Sequence, residues 1–192
     1  MTCCIAVPTD SGSVVVGADS AGVSYYDLTV RADQKVFKVG PMVMAFTTSF
    51  RMGQLLRYSL KLPEHPVDLP DDEYMSTRFV DEVRKCLLAG GFAKKEDNVE
   101  SGGTFLVAYR GRVFEVGDDF QIGAPQVGFA AVGCGAQIAL GHLWATRAQG
   151  KKAAVIKRVS DALEAAEQFS AGVRRPFRII VGGELDWVDS RS

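Results

Sequence analysis

The chain has 192 residues, 47% of them hydrophobic, and its 22 basic and 23 acidic side chains leave a net charge of -1. Chains near this length bury about 70% of their unfolded surface, so one core and one domain over residues 1–192 are expected. A charge so nearly balanced and so evenly spread excludes the electrostatic footprint of a nucleic-acid or anionic-membrane binder.

The opening residues, MTCCIAVPTDSG, carry neither a basic segment nor a long apolar run. No later apolar run approaches the roughly 18 residues of a membrane span, and a cytoplasmic location is expected. Cys3, Cys4, Cys86 and Cys134 lack CxxC spacing and read as free thiols. With only His65 and His142 beside them, neither a metal nor a cofactor is expected.

Two apolar, β-rich runs, Thr2 to Val7 and Ser13 to Ala18, flank a PTDSG turn, and a second pair, Lys35 to Val39 and Met42 to Thr47, flanks Gly40-Pro41. Together they predict a four-stranded antiparallel sheet. From Ser49 to Leu62 the apolar spacing turns helical until Pro63 and Pro66 stop it, and Tyr74 to Gly91 repeats the helical period up to a glycine pair. A second sheet is predicted to begin in GGTFLVAYRGRVFEVG, turning at Arg110-Gly111. Ala136 to Arg147 and Lys152 to Ser170 read as amphipathic helices, and FRIIVGG supplies a closing strand. Blocks of strands and helices in this order predict an α+β fold, a four-layer αββα sandwich of two antiparallel sheets flanked by helix pairs.

Thr2 follows Met1, and removal of Met1 would leave one residue carrying both a hydroxyl and a free α-amine. An α-amino group titrates at roughly 7.7–8.0, close enough to neutrality to exchange protons with the hydroxyl during acyl transfer. Asp19 ends the second strand in GADSAG, and Lys35 opens the third in DQKVFKV. Hairpin return brings both toward Thr2, where a lysine ammonium would favour the ionised hydroxyl and the aspartate would orient that lysine. Neither histidine has an acid partner at useful spacing, which leaves loop and packing roles for His65 and His142.

Taken in order, the N-terminal strand, GADSAG, DQKVFKV, AFTTS, FLVAYRGRVFEVG, AAVGCGAQIALG and EQFSAG resemble the proteasome β-subunit family, including the peptidase subunit of the simpler bacterial ATP-dependent protease. The resemblance covers nearly the whole chain. It implies a threonine-type peptidase with Thr2 as nucleophile, Asp19 and Lys35 as its charged partners, and Ser170 as the late serine near the α-amine. Glu167 stands where that family usually has aspartate. Cys134 replaces the serine of its Gly-Ser-Gly turn, and a thiol is the weaker hydrogen-bond donor. The family's oxyanion donor is the backbone N–H of a glycine in the turn before its first helix. This chain has Thr47, Thr48 and Ser49 there, and the donor is assigned to Ser49.

The resemblance also implies a peptide or unfolded-protein substrate, self-association as a homo-oligomer or ring, an ATP-dependent unfoldase partner and no cofactor. Cys3 competes with Thr2: it precedes Asp19 by 16 residues, the family's usual interval, whereas Thr2 precedes it by 17. One extra residue in the PTDSG turn restores Thr2, and turns tolerate insertions better than strands do. A Cys3-dependent amidase and a catalytically silent assembly protein are the alternatives.

Overall fold

The computed structural model describes residues 1–96, 99–147 and 150–184. The chain opens with six strands: β1 (Cys4–Pro8), β2 (Val14–Ala18), β3 (Ala21–Ser24), β4 (Asp27–Val30), β5 (Val36–Val39) and β6 (Met42–Phe46). Helices α1 (Phe50–Tyr58) and α2 (Asp71–Tyr74) follow, and α2 continues through a π-helical stretch (Met75–Phe79) into α3 (Val80–Ala89). Five strands come next: β7 (Lys94–Glu96), β8 (Val99–Ser101), β9 (Phe105–Tyr109), β10 (Arg112–Val116) and β11 (Ile122–Gly123). Then come β12 (Ala130–Val132), α4 (Ala136–Ala145), α5 (Lys152–Phe169) and β13 (Arg178–Gly182). Among the described residues no helix is long and apolar enough to cross a membrane.

The first two hairpins do not join in the four-stranded sheet predicted from their adjacency. They are dealt into separate antiparallel sheets, one ordered β12-β1-β2-β13 and the other β11-β10-β9-β6-β5. The reason lies in side-chain size. β1, β2 and β6 are buried on both faces, as is the first half of β5, so each hairpin needs helices on one side and a second apolar sheet on the other. Along β1, Cys4 and Ala6 are small and share a buried seam with Val43 and Ala45 of β6 and Leu106 and Ala108 of β9. The alternate residues Ile5 and Val7 pack instead with Ala139, Leu143, Val159 and Leu163 of α4 and α5. In the second sheet Met42, Met44, Phe46, Phe105 and Val107 turn toward α1 and α3, where Leu56, Val83 and Leu87 meet them. Large residues thus face the helices, and mostly smaller ones face the opposite sheet.

Helix ends differ modestly from expectation. α1 closes at Tyr58 rather than Leu62, where the N–H groups of Ser59 and Leu60 both turn back to the Leu55 carbonyl. α2 starts before Tyr74, with Pro70 at its N-cap and Asp71, Asp72 and Glu73 in its first turn, where acidic side chains complement the helix dipole. The β3–β4 hairpin was not anticipated. It stands apart from both main sheets, with β4 exposed along its length and Tyr25 and Tyr26 bare at its turn.

Gly17 on β2 leaves room for α5, since a Cβ there would lie 2.6 Å from Val159 Cγ1 and 3.1 Å from Leu163 Cδ1. Leu163 is fully buried at this contact. Leu163→Ala is expected to lower the free energy of unfolding in urea by about 2–5 kcal/mol through lost transfer energy and the remaining cavity.

Candidate active site

The alternation that shapes β1 also decides what its first residues face. Cys3 lies on the side of Ile5 and Val7, fully buried with α4 and α5. Thr2 is buried on the other side, and its Oγ1 accepts a hydrogen bond from Lys35 Nζ at 2.7 Å. Burial pushes the Cys3 thiol up to about 12, with the charges of Asp19 and Cys134 adding to the rise and Lys35 opposing it. Cys4, fully buried in the seam, is also raised by burial. The hairpin closes through a five-residue loop, Thr9 to Ser13, between the paired residues Pro8 and Val14, and in this register Thr2 rather than Cys3 meets Lys35.

Lys35 immediately precedes β5, and Asp19 immediately follows β2. Their side chains are 1% and 0% exposed and meet at 2.8 Å. Asp19 is saturated with donors: Oδ1 accepts from Lys35 Nζ and from the Cys3 N–H at 3.0 Å, and Oδ2 from the N–H groups of Ala21 at 2.8 Å and Arg174 at 3.2 Å. Removing one member of a buried pair typically costs about 3–5 kcal/mol because the other charge is stranded.

The turn Gly133-Cys134-Gly135 closes over Thr2. The Gly135 N–H donates to the Thr2 carbonyl at 3.2 Å. Gly133 has φ +100, and a Cβ there would sit 2.2 Å from that same carbonyl oxygen. The Thr2 N–H donates to Cys134 Sγ at 3.3 Å, and the Ser170 hydroxyl reaches the same sulfur at 3.3 Å. Cys134 and Ser170 therefore adjoin the nitrogen that becomes the α-amine if Met1 is removed. In this structure Met1 is present, and the Thr2 hydroxyl donates to its carbonyl.

Two of the expected site residues make their hydrogen bonds elsewhere in this structure. Glu167 contacts neither Thr2 nor Ser170: it accepts from the Arg175 N–H at 2.9 Å and from Arg175 Nε at 2.7 Å. Burial alone would raise its pKa, but these bonds and the nearby arginine charges leave it below the ordinary glutamate range. Ser49 is also committed elsewhere. Its N–H donates to the Thr47 carbonyl at 2.8 Å, while its hydroxyl caps α1 by accepting from the Arg51 N–H at 3.1 Å. Its neighbour Thr48 adopts φ +67, a left-handed backbone unusual for a β-branched residue. The Thr48 N–H has no hydrogen-bond partner among the described residues. Thr48 lines the same cleft as Thr2, together with Gly22, Thr29, Arg31 and Phe50. Sequence reading did not single out Thr48, Arg31 or Phe50, nor the Arg174 N–H that holds Asp19. The glycine expected at the turn before α1 was the one available pointer to a left-handed residue there.

The two histidines serve packing. His65 stacks on Tyr74 at 4.0 Å and bonds the Tyr109 hydroxyl and the Leu69 carbonyl, both at 2.7 Å. His142 lies on α4.

No family model and no curated protein sequence matches the chain. Solved structures do. The BPH protein of Thiobacillus denitrificans in complex with epoxomicin superposes with a TM-score of 0.73 at 20% identity, covering 96% of this chain and 100% of that one. HslV from Trypanosoma brucei gives 0.66 at 14% identity over 93% and 98% of the two chains. The Gly-1 mutant of Anbu from Hyphomicrobium sp. strain MC1 gives 0.67 at 12% identity over 94% and 81%. The chain thus has an α+β fold similar to that of these proteins. That likeness of fold is to proteasome-type structures.

Three measurements test these local arrangements. Thr48→Gly relieves a left-handed threonine and is expected to raise stability in urea by roughly 1 kcal/mol, the scale of such backbone strain. The Cys3 and Cys4 thiols ionise at higher pH in the folded chain than in the unfolded one. Their contribution is therefore complete below the ordinary thiol value of 9.0 and is lost as pH climbs above it, for Cys3 toward about 12. The urea midpoint should fall above pH 9, less steeply in Cys3→Ala. Iodoacetamide at neutral pH should alkylate exposed Cys134 in the native protein, and Cys3 and Cys4 only after unfolding.

Proposed function

We propose that the chain is a threonine-type endopeptidase, built as one domain over residues 1–192 in a four-layer αββα arrangement. Residues 97–98, 148–149 and 185–192 of that span lie outside the described residues. One observation carries the reading: Lys35 Nζ is shared between Thr2 Oγ1 at 2.7 Å and Asp19 at 2.8 Å, beside the chain's first peptide bond. A buried cation fixed on a hydroxyl oxygen by a saturated carboxylate is a device for stabilising negative charge on that oxygen.

Removal of Met1 frees the Thr2 hydroxyl from the Met1 carbonyl and creates the α-amine. Thr2 Oγ1 then attacks the scissile carbonyl carbon, and its proton passes to the amine, directly or through water. The carbonyl oxygen takes up the negative charge, and the unpartnered Thr48 N–H replaces Ser49 as its donor in this reading. Collapse breaks the C–N bond, the leaving nitrogen takes the proton, and an ester remains on Thr2. The amine next draws a proton from water, which hydrolyses the ester and regenerates the hydroxyl. Cys134 and Ser170 hold the amine in place. Cys3 has no part, because it faces the helices.

An extended substrate would lie along the cleft beside β3, pairing with exposed backbone. The reading further includes cytoplasmic location, self-association into a homo-oligomer or ring and delivery of unfolded chains by an ATP-dependent unfoldase, as the resemblance implies.

Intact mass of the expressed protein should show loss of Met1, and an epoxyketone should leave its adduct on Thr2. Thr2→Ala is expected to lower peptide hydrolysis about a thousandfold or more, and Lys35→Ala at least about a hundredfold. Cys3→Ala should stay within a few-fold of the parent. An adduct that survives Thr2→Ala and vanishes in Cys3→Ala would reverse the assignment, and a des-Met1 protein that forms no adduct would favour the silent alternative.

A further inference from the structure

The cleft beside Thr2 has a wall with its own chemistry. In the β3–β4 hairpin Gly22 pairs with Thr29 and Ser24 with Asp27, so these four residues share one face, and Arg31 continues the alternation beyond β4. All of them line the cleft. The Arg31 stem lies over Gly22, where a Cβ would come within 2.7 Å of its Cδ. Its guanidinium stacks on the Phe50 ring at 3.9 Å, and its Nε and one Nη are locked on the two carboxylate oxygens of Asp33, both at 2.7 Å. Lys35 Nζ, the donor to Thr2, lies 5.7 Å from the same ring, and Thr2, Arg31 and Phe50 line one cleft.

The held arginine keeps unused capacity. Among the described residues its second terminal nitrogen has no partner, and neither has the Asp27 carboxylate. A planar cation fixed by an aromatic ring and a bidentate carboxylate loses little entropy when it donates again. Its charge is already matched by Asp33, and Asp27 adds a further negative charge to the same wall, which disfavours an incoming carboxylate. A carboxamide suits this wall, because its oxygen accepts from Arg31 and it brings no charge for Asp33 and Asp27 to repel.

We propose that Arg31 and Asp27 make this cleft selective for substrates whose residue on the acyl side of the scissile bond is glutamine or asparagine. The proposal rests on the peptidase reading given above and deepens it. A site built to hydrogen-bond a polar side chain discriminates against one lacking it more strongly than an apolar pocket discriminates by size.

The test uses the full des-Met1 chain and fluorogenic peptides that differ only in that residue, as Gln, Glu, Leu or Arg. For the parent, kcat/KM with Gln should exceed each of the others by about tenfold or more. Arg31→Met retains the stem over Gly22 and Phe50, and the Gln-to-Leu ratio should drop to near one. Asp27→Asn removes the carboxylate that repels an acidic side chain, and the Glu-to-Gln ratio should rise about tenfold. Epoxyketone labelling of Thr2 in each variant reports an intact site. Parent preference for Leu, Glu or Arg, or ratios untouched by both substitutions, would overturn the selectivity alone. Failure of every peptide together with absence of a Thr2 adduct would overturn the peptidase reading, and this proposal with it.

Discussion

The ion pair between Lys35 and Asp19 is the point at which the two sheets are fastened at the end nearest the N-terminus. Asp19 belongs to the end of β2 and Lys35 to the start of β5, so their contact crosses the apolar seam rather than running along one sheet. Taking two such ions out of water costs several kcal/mol each, and mutual attraction offsets that only when the remaining lone pairs are satisfied. Asp19 meets this condition with three backbone N–H groups from three separate stretches of chain, at Cys3, Ala21 and Arg174. One carboxylate therefore fixes the start of β1, the entry to the β3–β4 hairpin and the segment leading into β13. Lys35 converts this scaffold into a charge held against the Thr2 hydroxyl.

Much of this arrangement is legible in the sequence because it depends on chain neighbours. Asp19 and Lys35 lie where hairpins end, and a hairpin returns its ends to the same place. The pairing of hairpins with one another is different. β6 takes β9 as its neighbour instead of β2, and nothing in the local pattern of either strand names a partner so distant along the chain. The volumes do carry a trace: Cys4, Ala6 and Ala45 alternate with Ile5, Val7 and Met44, as two unequal packing gaps require.

The local bonding of Thr48, Ser49 and Glu167 does not show in sequence, for separate reasons. Thr48 is left-handed against the preference of every β-branched residue, so intrinsic propensity points away from it. Ser49 looks available as a donor until its N–H is found turned onto Thr47 within the same tight turn. Glu167 sits near the end of α5, and only the fold of the chain after that helix brings Arg175 back to it. Spacing to Asp19 favoured Cys3 because it counts residues without regard to which side of a strand they occupy.

That last point reaches beyond the site. Sliding β1 by one residue would drive Ile5 and Val7 into the narrow seam and leave Cys4 and Ala6 to fill the wider space under α4 and α5. The five-residue loop at the far end absorbs the mismatch in length, so the strand keeps its parity. Whether an oxygen or a sulfur atom stands beside Lys35 is consequently settled by the volumes of side chains that never approach a substrate, and the chemical element at the centre of the cleft is a property of the core.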